Sequence, residues 1–170
     1  MTDPNILGLG LLYVGAVLFV NALYILDYAS PRDTAILNLF TGSLTFLNAI
    51  YLAFILESTF PAAQTLLFSF TYLWLFIVFW YEWTDMRALG WYCLFVAITA
   101  IPTGIYTYTI DNLEILGIIW QTWAYLWFIF FLYMALELKI KKITAWSTMA
   151  IAIITGIYAY YTLAITGAPI

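Results

Sequence analysis

The sequence predicts an all-α integral membrane protein, a bundle of six transmembrane helices, and three observations predict it. First, 66% of its 170 residues are apolar and only 8% are charged, where a soluble domain carries roughly 25% charged residues. Mean hydropathy is +1.00. Second, six apolar stretches are each long enough to cross a hydrocarbon core of ~30 Å, which takes about 20 helical residues. Third, the breaks between them are short and rich in proline and carboxylates. No loop can fold alone, so residues 1–170 read as a single domain.

Residues 1–5 hold no basic group, so no cleavable leader is expected ahead of the first helix. That helix is placed at 6–26. Leu7, Leu11, Val14, Leu18 and Asn21 fall along it at i, i+4, i+7, i+11 and i+14, one stripe of a 3.6-residue repeat. The second helix, 34–56, follows Pro31 and carries Asn38 and Asn48, whose amides can bond between helices in lipid. The third, 62–81, follows Pro61 and contains Phe68, Thr71 and Tyr72. The fourth, 90–109, and the sixth, 144–166, share a pattern: Thr103-Gly104-Ile105-Tyr106-x-Tyr108 returns as Thr155-Gly156-Ile157-Tyr158-x-Tyr160. The same offset carries Trp120 onto Phe68 and Trp123 onto Thr71, so helix pairs 3–4 and 5–6 read as copies of one hairpin. The fifth, 113–136, holds Trp120, Trp123 and Trp127 at i, i+3 and i+7, a stripe about 10 Å long.

Basic residues orient the bundle. Arg32, Arg87, Lys139, Lys141 and Lys142 occupy the first, third and fifth loops, and the other loops and both termini have none. The positive-inside rule assigns that side to the cytoplasm and both termini to the outside.

What is missing narrows the function. There is no histidine, which removes the commonest metal ligand and the side chain that titrates near neutrality. Five basic residues do not make a nucleic-acid surface. Cys93 stands alone in an apolar run and reads as a small hydrophobe. Asp3, Asp27, Asp33, Glu57, Glu82, Asp85, Asp111, Glu114 and Glu137 all sit at or beyond helix ends. No ionisable group marks an ion path at a helix centre, and no hydroxyl or thiol has a base to activate it. Neither an enzyme, nor a metal or cofactor site, is expected.

The tryptophan stripe has two readings. Aromatics at helical spacing pack bundles and anchor interfaces. Indole faces inside a bundle also make a narrow slot for a small, flat, uncharged molecule, and the aliphatic stripe of the first helix would supply its opposite wall. An ion stripped of water there loses several kcal/mol of solvation with no partner, whereas a neutral amide loses far less.

Five stretches in order resemble the AmiS/UreI family of bacterial urea and short-chain amide channels. They are Leu7-Gly8-Leu9-Gly10-Leu11-Leu12-Tyr13-Val14-Gly15 and on to Asn21, then Thr34-Ala35-Ile36-Leu37-Asn38-Leu39-Phe40-Thr41-Gly42. Phe68-Ser69-Phe70-Thr71-Tyr72-Leu73, Trp91-Tyr92-Cys93-Leu94-Phe95-Val96-Ala97-Ile98-x-x-Ile101-Pro102 and Ile118-Ile119-Trp120-x-x-Trp123-x-x-x-Trp127 complete the set. The sixth helix resembles the family poorly. The resemblance implies a pore within each protomer and a homo-hexameric ring around lipid. It implies a path lined by Leu7, Leu11, Val14, Leu18, Asn21, Phe68, Thr71, Tyr72, Trp120, Trp123 and Trp127. The implied function is passive passage of urea or short aliphatic amides across a prokaryotic inner membrane, serving a cytoplasmic urease or amidase. The acid-gated members carry histidine-bearing outside loops and a sixth-helix glutamate. This chain has neither, so acid gating is not expected. An energised transporter of the same solutes and a non-transporting membrane scaffold are the rival readings.

Overall fold

The computed structural model describes residues 6–166; Asp3 and both chain ends lie outside the described residues. Six helices long and apolar enough to cross a membrane follow one another: α1 (Ile6–Ile25), α2 (Pro31–Phe54), α3 (Thr59–Trp80), α4 (Arg87–Thr109), α5 (Glu114–Met134) and α6 (Lys141–Tyr161), the last continuing as a wider π-helical turn over Thr162–Thr166. Among the described residues there is no strand.

Helices α2, α3, α4 and α6 begin at Pro31, Thr59, Arg87 and Lys141, where the apolar pattern placed them at 34, 62, 90 and 144. The physical reason is that first-turn N–H groups need no apolar neighbour; they need caps, proline or water. Helix α2 shows it. Pro31 takes the first helical position, and the Ser30 hydroxyl oxygen accepts from the Asp33 N–H at 3.2 Å. At the other ends, Asp27, Glu57, Glu82, Asn112 and Glu137 each take positive φ, one in every connection. These left-handed residues reverse the chain at once and turn freed N–H groups back onto the last carbonyls, as Tyr28 N–H does to Leu23 and Trp83 N–H to Val78.

The tightly packed pairs differ from those the repeat suggested. Helix α2 packs along α3, α4 along α5, and α6 along α1, while α3 and α4 scarcely touch. Glycine decides the pairing. A Cβ on Gly104 would lie 2.9 Å from the Gly117 carbonyl oxygen, and one on Gly15 would lie 2.8 Å from the Gly156 Cα. A Cβ on Gly42 would meet Leu73 at 2.8 Å. Backbones approach this closely only where side chains are absent, the usual way helices associate in lipid. Thr41-Gly42 is thus a third copy of Thr103-Gly104 and Thr155-Gly156. The repeat unit is an even-numbered helix clasped to an odd-numbered one, three times around the bundle.

The even helices back the structure and the odd ones, α1, α3 and α5, enclose its interior. Outward faces carry Phe40, Leu47, Trp91, Phe95, Trp146 and Ile157, all exposed, which in a bilayer meet acyl chains or a neighbouring subunit. Asn48 donates to the Ile6 carbonyl at 3.0 Å and ties α2 to α1.

Candidate functional site

Helices α1, α3 and α5 run in the same direction, so their stripes face one another at matched depth. Between them lie three cavities in file, of about 60, 40 and 130 Å³. The first sits among the starts of the three helices and is lined by Leu7, Leu11, Val14, Phe68, Trp120 and Trp123, with Gln64, Thr65 and Thr45. The middle cavity is lined by Leu18, Asn21, Phe68, Thr71, Tyr72, Trp123 and Trp127, with Cys93, Phe130 and Met134. The third opens at the end that holds all the basic residues, among Asn21, Tyr24, Asp27, Tyr133 and Lys141. From Leu7 to Ile25 the file follows about 27 Å of helix axis at 1.5 Å per residue.

All eleven residues that the resemblance singled out line this file. The neighbouring cavities share walls. Phe68 and Trp123 border both the first and the middle cavity, while Asn21, Leu75, Phe130 and Met134 border both the middle and the third. These residues mark the two boundaries between the cavities.

The indoles do not stack as parallel faces. Trp120 and Trp123 meet edge to face at 82°, their centroids 5.1 Å apart, and both pack on Phe68, at 5.7 and 4.9 Å. Trp127 closes on the same ring at 4.8 Å. Edge-to-face contact is the preferred geometry of aromatic quadrupoles, so one phenyl ring organises three indoles. Trp123 is 2% exposed, and its indole N–H donates to the Thr155 hydroxyl at 3.0 Å. That donor is spent on α6, and the wall it offers is apolar.

Most hydroxyls are likewise committed. Thr45 donates to the Thr41 carbonyl, Thr65 to that of Pro61 and Thr71 to that of Leu67, the back-bonding expected of threonine inside a helix. The carboxamides divide into a bonded pair and one left open. Asn21 and Asn38 form a reciprocal pair, Asn38 donating at 2.7 Å and Asn21 at 3.2 Å, and Asn38 also donates to the Thr34 carbonyl. Gln64 has a buried Nε2 with no partner. Reading the sequence had missed Gln64. Its signal was there: Gln64, Phe68, Thr71 and Leu75 fall at i, i+4, i+7 and i+11, the same stripe.

Charge is confined to the ends. Lys141 bonds both Asp27 carboxylate oxygens, at 2.7 and 2.8 Å, at the mouth of the third cavity. Arg87 pairs with Asp85 at 2.7 Å and Arg32 with Glu82 at 3.3 Å. The Arg87 guanidinium and backbone N–H hold the Asp85 carboxyl down at about 2, below its ordinary 3.8. Among the described residues no group of histidine, cysteine or carboxylate side chains could hold a metal ion.

A family model described as the AmiS/UreI family transporter matches residues 6–164. A protein of Mycolicibacterium smegmatis named for transport of amidate substrates is 42% identical over 135 residues, 76% of this chain and 62% of that relative. The acid-activated urea channel of Helicobacter pylori is 34% identical over 183 positions, covering 89% of this chain and 91% of its own. The crystal structure of the Helicobacter pylori urea channel matches with a TM-score of 0.85 at 33% identity, across 95% of this chain and 99% of that one.

Proposed function

Because the chain belongs to the AmiS/UreI family of multi-pass membrane transporters, we propose that it is a passive channel for urea or short-chain aliphatic amides. The observation that carries this reading is the file of three cavities, with aromatic and aliphatic walls and no carboxylate, lysine, arginine or histidine lining its first two members. Neutral amides and urea can exchange water for a few hydroxyl and carboxamide contacts there. An ion cannot, because no opposite charge replaces its hydration. The family is one of transporters and channels, not of enzymes.

The basic end faces the cytoplasm of a prokaryotic inner membrane, on the positive-inside rule. The protein assembles as a homo-hexamer, its exposed aromatic faces meeting neighbouring subunits and lipid. A cytoplasmic urease or amidase consumes the solute and keeps the gradient inward. Entry is not acid-gated, since no histidine lies at either mouth.

Urea and guanidinium provide the test, being planar and nearly equal in size but different in charge. Proteoliposomes should pass urea and acetamide far faster than empty liposomes and exclude guanidinium. Equal rates with and without protein would favour a scaffold. Passage of guanidinium would refute the neutral filter.

A further inference from the structure

Resting on that channel reading, we propose that Gln64 is the selecting group of the first cavity, donating a hydrogen bond to the carbonyl oxygen of each entering amide or urea molecule. Its Nε2 is buried in the wall, so a turn of the carboxamide brings that donor to the cavity, and among the described residues it is the one buried side-chain nitrogen or oxygen without a hydrogen-bond partner. An unpaired amide in a low-dielectric wall is unfavourable, so it persists where something transient satisfies it. The two threonines of this wall are not free donors. Thr65 and Thr45 turn their hydroxyl hydrogens onto carbonyls of their own helices.

The rest of the wall selects shape. Leu7, Leu11, Phe68 and Trp120 leave an apolar cavity of about 60 Å³, with Gln64 on one side. The occupant that fits is small, flat and neutral, and it must bring a strong acceptor. Primary amides and urea meet all four demands. The glutamine carboxamide holds a donor and an acceptor, so the ligand's own N–H finds a partner on the same side chain. Selection then happens before the Phe68–Trp123 boundary with the middle cavity. Phe68 lies one helical turn beyond Gln64 on α3.

The experiment compares wild type with Gln64→Met, which keeps length and volume and removes both polar atoms. Urea, thiourea, acetamide and water fluxes are measured in proteoliposomes. Urea and acetamide rates should fall about three- to tenfold, the effect of one lost hydrogen bond, while water flux holds. Preference for urea over thiourea, whose sulfur accepts weakly, should shrink by a similar factor. If wild type conducts and Gln64→Met shows the same rates and ratios, the assignment is overturned. A wild type that conducts no urea instead overturns the channel reading.

Should Gln64→Met fail to assemble, the wild type decides the matter by itself. Gln64 and Gln121 are the chain's two glutamines, and Gln121 donates to the Ile101 carbonyl between α4 and α5. With ¹⁵N-glutamine labelling, acetamide should shift the Gln64 side-chain resonances and leave Gln121 unmoved. No shift, or equal shifts of both, would contradict the proposal.

Discussion

Two carboxamides border the interior of this bundle, and their hydrogen bonding is opposite. Asn21, between the middle and third cavities, is held by Asn38 through bonds of 2.7 and 3.2 Å. Gln64, in the first cavity, has a buried nitrogen with nothing to bond. The difference separates two jobs. An amide locked to a neighbouring helix is a fixed part of the wall, with one donor and one lone pair left over. An amide left open is a group waiting for a ligand.

The largest way to break the comparison is to remove the divider between the two amides. Trp123 packs on Phe68 and Trp120 and bonds Thr155, at 2% exposure. Trp123→Ala should therefore cost about 3–5 kcal/mol and appear as lost assembly in thermal melts. Trp123 is a structural post as well as a lining residue.

Next in size is Asn38→Leu, which leaves the Asn21 amide buried and unpaired. The loss should be about 1–2 kcal/mol, with urea flux reduced because Asn21 is free to turn. Asn21→Leu with Asn38→Leu together should recover much of the stability, since both polar groups then leave the core. Thermal unfolding in detergent reads the cycle. Two independent, additive losses would show that the pair is not a unit. Gln64→Met, by contrast, should hold or raise the melting temperature, since it removes an unpaired amide.

Smaller still is the ion pair at the mouth. Lys141 and Asp27 are exposed, so Lys141→Met should change stability by less than about 1 kcal/mol. Any flux change should shrink at high salt, as expected for charges at a mouth rather than in a lumen.

The smallest expected effect is that of pH. The Asp85 carboxyl is held near 2 by Arg87, below its ordinary 3.8. A lowered carboxyl stabilises above the ordinary value, and that contribution is lost only as pH falls from 3.8 toward 2. Between pH 5 and 7.5 nothing in this pair titrates. Urea flux at matched internal and external pH, taken in half-unit steps, should be flat. A several-fold rise on acidification would show that carboxylates gate without histidine.

The helices were legible because a membrane span needs a long apolar run whatever its partners, and the fold class followed from that alone. The eleven lining residues were legible through helical spacing and family resemblance. The helix pairing was not. Thr103 and Thr155 announced a repeat, yet only contact between Gly104 and Gly117, and between Gly15 and Gly156, reveals which helices clasp. Partner choice is a property of two surfaces, and one sequence period describes just one of them. Gln64 escaped for a related reason: a lone glutamine near a helix start looks like an interface residue until its burial and empty bonding are seen. The carboxylates ending the helices were readable, but their left-handed backbone at Asp27, Glu57, Glu82 and Glu137 was not, because glycine and asparagine normally signal it.

The claim that most needs testing is that solute moves passively through the file of cavities. Urea influx into proteoliposomes should be measured against the imposed gradient, with and without a protonophore and with the membrane potential set by potassium and valinomycin. The account predicts a rate that follows the gradient, stops at equal concentrations and ignores both treatments. Accumulation above the outside concentration, abolished by the protonophore, would contradict it and make the protein an energised transporter.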